Sequence, residues 1–383
     1  MLDVSFYVRS CAPVALTVFG MGPFQEKPFH LDFIDRNGAP SNFFLLISPN
    51  GRGKTVLLEC MASLMHLLDS SQRPAPPHER LWSHSKARAQ WDLRLAVNMS
   101  GSVQEVLLTL AAGHGAPHET RNWERSDLER IKVTKRLHIA WARSPGGHWQ
   151  QIKSADPVLD ELLGLVQTEM KNTYGAFGPD SITVPSLLFF DAYRDIPVCS
   201  GDGFAIHRPP QWFYRTLHRF GAHGEQWQHT LDNLLVWLSW LNDDRYQKAQ
   251  ELINAFVFSD TQKSLASIDR EHLHALINNG ERQHRLDQLS SGEKSLLHLM
   301  LRIHVHMTEQ TILVIDELDV HLHPKLQHRL YQALKRLVTK HPGLILIATT
   351  HSIELIDQFN IDLLAEEPGL RMSGHLIDKE EIQ

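Results

Sequence analysis

Several short apolar runs along the chain have the length of buried strands and are separated by segments with helical spacing. The four clearest runs are Phe43 to Ile47, Ser186 to Phe190, Thr311 to Ile315 and Leu344 to Ala348. Continuous apolar runs of this kind are typical of strands that are covered on both faces. The pattern therefore predicts an α/β fold with a mainly parallel core sheet.

Weaker alternating segments predict a second, small antiparallel sheet. Ala15 to Phe19 and Phe29 to Phe33 have the character of strands, and two hairpins are expected within residues 91–110 and 132–152. In residues 197–286, apolar and aromatic residues recur at helical spacing, which favours a helical insertion.

The chain of 383 residues is long enough to bury a large core and to form more than one part. We expect an N-terminal lobe at residues 1–196, the helical insertion at 197–286 and a C-terminal lobe at 287–383.

The first strand of the core is followed by a loop with the composition of a phosphate-binding site. After Ile47 the chain runs Ser48-Pro49-Asn50-Gly51-Arg52-Gly53-Lys54-Thr55, with Ser48 in place of the usual first glycine. The glycines let the backbone approach an anion, which the N–H groups and the N-terminus of the following helix would bind. Lys54 is expected to reach the β- and γ-phosphates of a nucleotide, and the Thr55 hydroxyl to bind Mg²⁺. The expected nucleotide contacts are Asn50, Gly51, Arg52, Gly53, Lys54, Thr55 and Val56, where the helix should begin.

The strand Thr311 to Ile315 is followed by two adjacent carboxylates, Asp316 and Glu317. Charges at the end of a buried strand persist only with a cation or hydrogen-bond donors, and a metal-bound phosphate is a natural partner. Because neighbours on a strand point to opposite sides, the two acids are expected to have different roles. We assign Asp316 to Mg²⁺ and Glu317 to the attacking water, as general base. A helix-capping carboxylate is the structural alternative for one of them.

Two more polar segments lie before and after this strand. Leu289-Ser290-Ser291-Gly292-Glu293 precedes an apolar helical stretch, and on its own it has the composition of a helix cap. His351 follows the last core strand, at the sheet edge where open α/β sheets bind ligands. There it is expected to hydrogen-bond a γ-phosphate, although a lone histidine is more often structural.

Along the chain, the phosphate loop is followed by the Ser290 segment, the acidic pair and His351. These four pieces, in that order, resemble those of P-loop NTPases of the ABC ATPase type, in the branch that contains SMC, RecF and OLD-like proteins. The resemblance covers both ends of the chain well and the middle poorly. It implies an enzyme that binds ATP and Mg²⁺ and hydrolyses ATP to ADP and phosphate. It also implies a homodimer in which Ser290, Gly292 and Glu293 of one subunit close over the nucleotide of the other.

The segment after Glu317 indicates a place within that branch. Leu318-Asp319-Val320-His321-Leu322-His323-Pro324 is similar to the Leu-His-Pro ending of OLD-like ATPases, with His323 where the loop usually has an aspartate. His321 and His323 also suggest a metal pair, but two ligands without a nearby cysteine or carboxylate cluster make a poor zinc site. Arg194, after the strand that ends at Phe190, is a candidate phosphate or interface contact.

Composition limits the location and the partners. No apolar run approaches the roughly 20 residues of a membrane span, and the 3 cysteines, Cys11, Cys60 and Cys199, are too few for a disulfide framework. We therefore expect a cytoplasmic protein without membrane insertion. The net charge of −6 does not indicate general nucleic-acid binding. Residues 121–136 and 212–219 leave a local nucleic-acid groove open, although the mixed charges of the first segment favour a solvated helix.

Two classes of function fit these features. In one, the nucleotide-dependent dimer controls a separately encoded effector, as the resemblance to OLD-like anti-phage ATPases suggests. In the other, ATP-driven closure clamps duplex DNA during repair or restriction. We expect no nuclease in the short segment after His351, which favours the first class. The nucleotide-binding subunit of a transporter is a distant third.

Overall fold

The computed structural model describes residues 6–35, 37–69, 79–172, 182–194, 196, 205–221, 226–259, 261–365 and 367–382. Its strands are β1 (Phe6–Phe19), β2 (Phe29–Asp32), β3 (Phe43–Ile47), β4 (Arg88–Met99), β5 (Ser102–His114), β6 (Lys135–Arg143), β7 (Trp149–Lys153), β8 (Ser186–Phe190), β9 (Leu217–Phe220), β10 (Lys263–Asp269), β11 (His274–Asn279), β12 (Arg282–Arg285), β13 (Thr311–Ile315), β14 (Leu344–Thr350) and β15 (Met372–Leu376). Its α-helices are α1 (Lys54–Met65), α2 (Arg125–Arg130), α3 (Pro157–Lys171), α4 (Leu231–Trp240), α5 (Arg245–Phe256), α6 (Ser291–His306), α7 (Pro324–Lys340), α8 (Ile353–Ala365) and α9 (Lys379–Ile382). The expected start of the insertion and Cys199 lie outside the described residues.

The core is a six-stranded sheet in the order β15-β3-β14-β13-β8-β9, and each neighbouring pair is parallel. This confirms the α/β fold and the four strands predicted from their apolar runs. The register pairs Ile315 with both Ala348 and Phe190, and Thr350 with Ile47. The carboxyl ends of β3, β8, β13 and β14 therefore lie along one edge of the sheet, where the loops that follow them meet.

Alternate residues of the core strands enter two separate hydrophobic cores. Phe44 and Val314 pack on the side of α1 and the second sheet, whereas Phe43 and Leu313 pack on the side of α6 and α7. Because both faces are covered, nearly every position of these strands is apolar. Helix α1 lies between the two sheets and is buried on most sides, which explains why most of its residues are apolar.

The second sheet has the order β2-β1-β4-β5-β6-β7 and is antiparallel except for the β5–β6 pair. The two predicted hairpins are confirmed as β4–β5 and β6–β7. The sheet is larger than predicted, because β1 begins at Phe6 and not at Ala15. A break in register between Val8 and Ser10 interrupts the alternation in the first half of β1, and a bulge of this kind conceals a strand from its sequence pattern.

The segment predicted as a helical insertion contains strands as well as helices. Helices α4 and α5 confirm its helical part. An entirely helical insertion is wrong, because β9 joins the core sheet and β10, β11 and β12 form a small antiparallel sheet. The β11–β12 turn begins at Gly280, whose φ is 64°. A glycine at this turn position is a hairpin signal, and the helical spacing before it obscured that signal.

Two predictions about the surface can be compared with the structure. Helix α2 has no buried residue, and its Arg125 Nε lies 3.0 Å from Glu129 Oε1, so this part of the mixed-charge segment is a solvated helix, as the sequence favoured. Lys135 and Arg136, at the end of the segment, belong to β6. None of the described helices combines the length and the apolar character needed to cross a bilayer.

Candidate nucleotide-binding site

The loop after β3 leads directly into the N-terminus of α1, which begins slightly earlier than predicted, at Lys54. Gly51 and Gly53 have φ angles of 77° and 90°, in the left-handed region that glycine adopts without a steric penalty. A Cβ on Gly53 would lie 2.7 Å from Phe24 and Pro23, whereas a Cβ on Gly51 would meet nothing within 4 Å. Gly53 therefore allows close packing under the loop, and Gly51 leaves the loop backbone open to a ligand.

The other loop residues differ in exposure. Asn50 is exposed, and Arg52 and Val56 are half-buried. The Val56 side chain packs against Gly22, where an added Cβ would lie 3.0 Å from Val56 Cγ2. Val56 is thus placed to contribute its backbone N–H, and not its side chain, to a phosphate.

The Lys54 side chain folds back along the loop. Its Nζ donates to Ser48 O at 2.7 Å, to Ser48 Oγ at 3.1 Å and to Pro49 O at 3.4 Å. The serine that replaces the usual glycine thus holds the ammonium through both its carbonyl and its hydroxyl. Burial lowers the pKa of Lys54, and the negative charges of Asp316 and Glu317 oppose that shift. The phosphate loop and the acidic pair therefore interact electrostatically.

Thr55 and Asp316 are in direct contact, although 261 positions separate them in the chain. Thr55 Oγ1 donates to Asp316 Oδ2 at 2.8 Å, and Thr349 Oγ1 donates to Asp316 Oδ1 at 2.7 Å. Asp316 is only 4% exposed, and the two hydroxyls provide the hydrogen-bond donors that a buried carboxylate needs. The structure places the two predicted Mg²⁺ ligands side by side and adds Thr349, which the sequence analysis missed.

The oxygen atoms of this pair fit Mg²⁺. The ion usually binds one or two protein oxygens and completes its octahedral shell with phosphate oxygens and water. The Thr55 hydroxyl and the Asp316 carboxylate are two such ligands, and they lie beside the phosphate loop. Within the described ranges, no group of three or more His, Cys, Asp or Glu side chains is arranged to hold a metal ion.

Glu317 has a left-handed backbone, with φ at 48°, which is uncommon for a residue with a side chain. Its N–H donates to Thr349 Oγ1 at 2.7 Å, and its carbonyl accepts from Arg194 Nη2 at 2.8 Å. Such a conformation costs about 1–3 kcal/mol and persists where surrounding contacts hold it, often at functional sites. The Glu317 carboxylate points to His351, whose Nε2 lies 3.8 Å from Glu317 Oε1.

The acidic pair lies in a turn after β13, and not within the strand as expected. The strand ends at Ile315, so Asp316 and Glu317 both follow it. Their carboxylates diverge because the backbone turns at Glu317, and not because strand residues alternate between faces. The two predicted roles stay predictions, but their physical reason is different.

Arg194 has a different place from the one expected. Its Nη1 donates to the carbonyls of Asp316 at 2.7 Å and Asp191 at 2.9 Å, and its Nε donates to Ser295 Oγ at 3.3 Å. The residue is 2% exposed, and burial lowers its pKa to about 10, a shift that nearby carboxylates oppose. Because its donors bind protein atoms, including the Glu317 carbonyl, Arg194 positions the acidic loop. The geometry does not favour a phosphate or interface contact.

The loop after Glu317 is tied to the end of β14. Asp319 Oδ1 accepts from Thr350 Oγ1 at 2.5 Å and from the N–H of His351 at 3.1 Å. His323, which replaces the usual aspartate of this loop, is the N-cap of α7. Thr350 and Asp319 were missed as positioning residues. The available signal was the pair of threonines that ends a buried strand directly before His351.

The Ser290 segment caps α6, as the structural alternative predicted. Ser290 Oγ accepts from the N–H of Glu293 at 3.4 Å and donates to Glu293 Oε2 at 2.7 Å. Lys263, on β10, donates from Nζ to the two oxygens of Glu293 at 2.8 and 2.9 Å. Burial opposes ionisation of Glu293, but the Lys263 ammonium and the Ser290 donors keep its pKa below the usual range. A Cβ on Gly292 would lie 2.9 Å from Leu326, so this glycine lets α6 pack against α7.

The predicted site residues therefore form two groups. The residues brought together at the carboxyl edge of the core sheet are Lys54, Thr55, Asp316, Glu317 and His351. Across the described residues, neither Ser290 nor Glu293 has a hydrogen bond or ion pair with the loop at 48–55. Their predicted role at the nucleotide of a second subunit stays a prediction.

A known protein family matches the part of the chain that contains the later site residues. The family model described as "AAA domain, putative AbiEii toxin, Type IV TA system" matches residues 233–357. That span includes the Ser290 segment, the acidic pair and His351, but not the phosphate loop. A search of curated proteins gives no match. The matched span, together with the contact between Thr55 and Asp316, supports an ATP-binding P-loop ATPase.

The chain is also similar to two solved structures. One is titled "Dimeric Structure of MJ0796, a Bacterial ABC Transporter Cassette", with 12% identity, coverage of 96% of this chain and 94% of that chain, and a TM-score of 0.34. The other is a post-hydrolysis state of the ATP-binding cassette MJ0796 bound to ADP and Pi, with 11% identity, 89% coverage of each chain and a TM-score of 0.33. With TM-scores this low, the likeness carries no argument about the site.

Proposed function

We propose that the chain is an ATP-hydrolysing ATPase of ABC type that acts as a nucleotide-dependent homodimer switch for a separately encoded effector. The observation that carries this proposal is the 2.8 Å hydrogen bond from Thr55 Oγ1 to Asp316 Oδ2. It joins the phosphate loop to the acidic pair, as binding of a triphosphate with Mg²⁺ requires. The two free cysteines among the described residues, Cys11 and Cys60, are buried, and free thiols suit the proposed cytoplasmic location.

The phosphate loop binds the triphosphate in this proposal. The N–H groups between Gly51 and Thr55 surround the β- and γ-phosphates at the N-terminus of α1. The Lys54 ammonium exchanges its contacts with the neutral oxygens of Ser48 for phosphate oxygens, and these give it a charged partner. Mg²⁺ bound by Thr55 and Asp316 would neutralise charge on the phosphate oxygens.

Glu317 acts as the general base in the proposed reaction. It orients a water molecule for in-line attack on the γ-phosphate and accepts a proton from it. Thr349 and Arg194 hold the Glu317 backbone from both sides, so the carboxylate needs little reorganisation during the reaction. His351, beside Glu317, hydrogen-bonds the γ-phosphate and is released when that phosphate leaves.

The Ser290 segment of a second subunit completes the site. The N-terminus of α6 has the N–H donors and the partial positive charge that favour an anion. The nearby Glu293 carboxylate would repel a phosphate, but Lys263 already compensates its charge. Hydrolysis removes the γ-phosphate that links the two subunits, so the dimer loosens and the switch returns to its open form.

Control of an effector is the finer part of the proposal. The matched family carries the description "AAA domain, putative AbiEii toxin, Type IV TA system", which names an AAA domain together with a toxin. We infer that the ATPase cycle of this chain holds or releases such a partner during anti-phage defence. The net charge of −6 gives no comparable support to a DNA clamp.

The catalytic assignment is tested with Lys54→Ala and Glu317→Gln. Lys54→Ala should weaken ATP binding, because the loop loses its ammonium. Glu317→Gln should bind ATP normally, hydrolyse it far more slowly and accumulate ATP-bound dimers, which light scattering detects. Glu129→Gln, on the exposed α2, is the matched control for loss of a carboxylate. Normal turnover by Glu317→Gln would rule out the base assignment.

The two-subunit site is tested by mixing two inactive variants. Ser290→Arg should retain ATP binding but block closure, and Lys54→Ala should lack binding. A mixed dimer of the two contains one site with an intact phosphate loop and an intact Ser290 segment. The mixture should therefore regain ATP turnover that neither variant shows alone. Failure to regain turnover, when both variants fold and associate, would contradict the arrangement.

The partner is tested by purification of the tagged chain from its native cells in ATP, with and without nuclease treatment. The Glu317→Gln variant should retain a protein encoded separately, identified by mass spectrometry, and the Lys54→Ala variant should lose it. A partner that disappears after nuclease treatment would instead indicate binding through nucleic acid.

A further inference from the structure

A cavity of about 40 Å³ lies at the end of β9, between α6 and the segment that leads into α4. Its wall includes Arg302, Arg219, His298 and Thr230, and none of the described residues that line it is an aspartate or a glutamate. In the part of the wall that the structure describes, hydrogen-bond donors and positive charge are thus present without a carboxylate. It uses none of the residues assigned to the nucleotide.

Arg302 carries the strongest unbalanced charge in this wall. The residue is 7% exposed, and its Nη2 donates to His229 O at 2.8 Å while its Cζ lies 5.3 Å from the centre of the Phe220 ring. Its Nε is buried and has no hydrogen-bond partner among the described residues. Burial lowers the pKa of Arg302 to about 10, so the side chain is still charged at neutral pH.

Two neighbouring arginines differ from Arg302, because both have carboxylates near them. Arg219, in the same wall, is paired with Glu59 and with Asp191, whose Oδ1 lies 2.8 Å from Arg219 Nη2. Arg194 interacts electrostatically with several carboxylates. Arg302 has no ion pair to any carboxylate of the described residues. A buried charge without a counter-ion is costly, so an anion bound from solution would stabilise Arg302.

The N-terminus of α4 adds to the positive character of the cavity. Thr230 is the N-cap of this helix, and its side chain accepts from the N–H of Asn233 at 3.1 Å. Thr230 and Leu231 both line the cavity, so the first turn of α4 faces it. A helix N-terminus favours negative charge, and here it acts on the same space as the guanidinium of Arg302.

We propose that this cavity binds a small oxyanion of the phosphate class, with the Arg302 guanidinium as its principal partner. One water molecule needs about 10–15 Å³ of such space, so a cavity of about 40 Å³ holds a group of a few atoms and excludes a nucleotide. A tetrahedral oxyanion matches the size, and its multiple acceptors match the donors of the wall. The inference does not depend on the proposed ATPase function.

The test is calorimetric titration of inorganic phosphate into the full chain carrying Lys54→Ala, which removes the ammonium of the phosphate loop. We expect one phosphate per chain. Adding Arg302→Met, which keeps the length of the side chain, should weaken phosphate binding by about tenfold to a hundredfold, as loss of a charged hydrogen bond does. Arg302→Lys should retain part of the affinity. Arg125→Met, on the exposed α2, is the matched control and should bind phosphate as the parent does.

A second variant keeps the proposal testable if Arg302→Met does not fold. Gln211 lines the cavity, and Gln211→Glu places a carboxylate of nearly the same shape in the wall. It should weaken phosphate binding, because the new charge repels the anion and satisfies the guanidinium. The proposal is overturned if the Lys54→Ala parent binds no phosphate, if either cavity variant binds it as the parent does, or if acetate binds as tightly as phosphate.

Discussion

The clearest consequence of the site geometry concerns Thr349, a residue with no charge and no expected contact with substrate. Its Oγ1 donates to Asp316 Oδ1 at 2.7 Å and accepts from the N–H of Glu317 at 2.7 Å. Thr349 is 0% exposed, so water cannot replace its hydroxyl. Thr349→Val keeps the shape of the side chain and removes both hydrogen bonds.

The magnitude follows from the two groups left behind. A hydrogen bond to a charged carboxylate contributes about 1.5–3 kcal/mol, and a buried N–H without an acceptor costs about 1–3 kcal/mol. Since both losses occur at one residue, they are not independent, and we expect a total of about 2–4 kcal/mol. The left-handed backbone of Glu317, which costs about 1–3 kcal/mol by itself, then has one support fewer. Turnover should therefore fall more than ATP binding does.

The assay compares Thr349→Val with Thr349→Ser in urea unfolding and in ATP turnover. Serine retains the hydroxyl and should keep most of the turnover, with a smaller loss of stability. Thr349→Val should lower the urea midpoint without a change in slope and reduce kcat with little effect on the dissociation constant for ATP. If valine and serine give the same midpoint and the same kcat, the hydroxyl does not hold the acidic pair and the reasoning is wrong.

Three other predictions follow from single contacts. Gly51→Ala should destabilise the fold by about 1–2 kcal/mol, because its φ is left-handed but its surroundings are open; Gly53→Ala should cost more in the same unfolding assay, since its Cβ would also lie 2.7 Å from two side chains. Lys263→Met should lower the free energy of unfolding by about 1–3 kcal/mol, between the values for exposed and buried ion pairs. It should also weaken ATP-dependent dimerisation without weakening ATP binding. If the variant dimerises as the parent does, Lys263 is not needed to compensate the charge of Glu293. Burial raises the pKa of Asp232 to about 6, so the stability that its protonated form contributes is lost as the pH rises through that value. Asp232→Asn should therefore stabilise the chain by about 3 kcal/mol at mildly alkaline pH, and thermal unfolding should show this gain shrinking as the pH falls towards 3.8, the ordinary pKa.

The core strands and the loops that follow them could be predicted from the sequence because each has a local signal. A continuous apolar run marks a strand covered on both faces, and polar residues directly after it mark the edge of the sheet. The contact between Thr55 and Asp316 was implied by the same reasoning, since parallel strands bring their carboxyl ends together. The sequence could not indicate the Thr349 hydroxyl as the group that joins Asp316 to the backbone of Glu317.

The missing parts depend on interactions between distant residues. Arg194 resembles a substrate-binding arginine in the sequence, and only the structure shows that its donors bind the carbonyls of Asp316 and Glu317. An arginine that binds backbone carbonyls needs no particular partner side chain, so the sequence gives no sign of the contact. The strands β10 to β12 lack a clear alternating pattern. A break in register between Leu265 and Ile268 interrupts β10, and β12 contains no apolar residue.

Arg194 also links the two groups of site residues within one chain. Its Nη atoms bind the carbonyls that follow β13, and its Nε binds Ser295, in the helix whose N-cap is Ser290. The acidic loop and α6 therefore share one rigid, buried guanidinium. Under the proposed mechanism, Glu317 faces the nucleotide of its own subunit while Ser290 faces that of its partner. In that mechanism, a shift of the acidic loop when the γ-phosphate leaves would be transmitted through Arg194 to α6. This contact would give the two sites of the proposed dimer a physical reason to hydrolyse ATP in a coupled way.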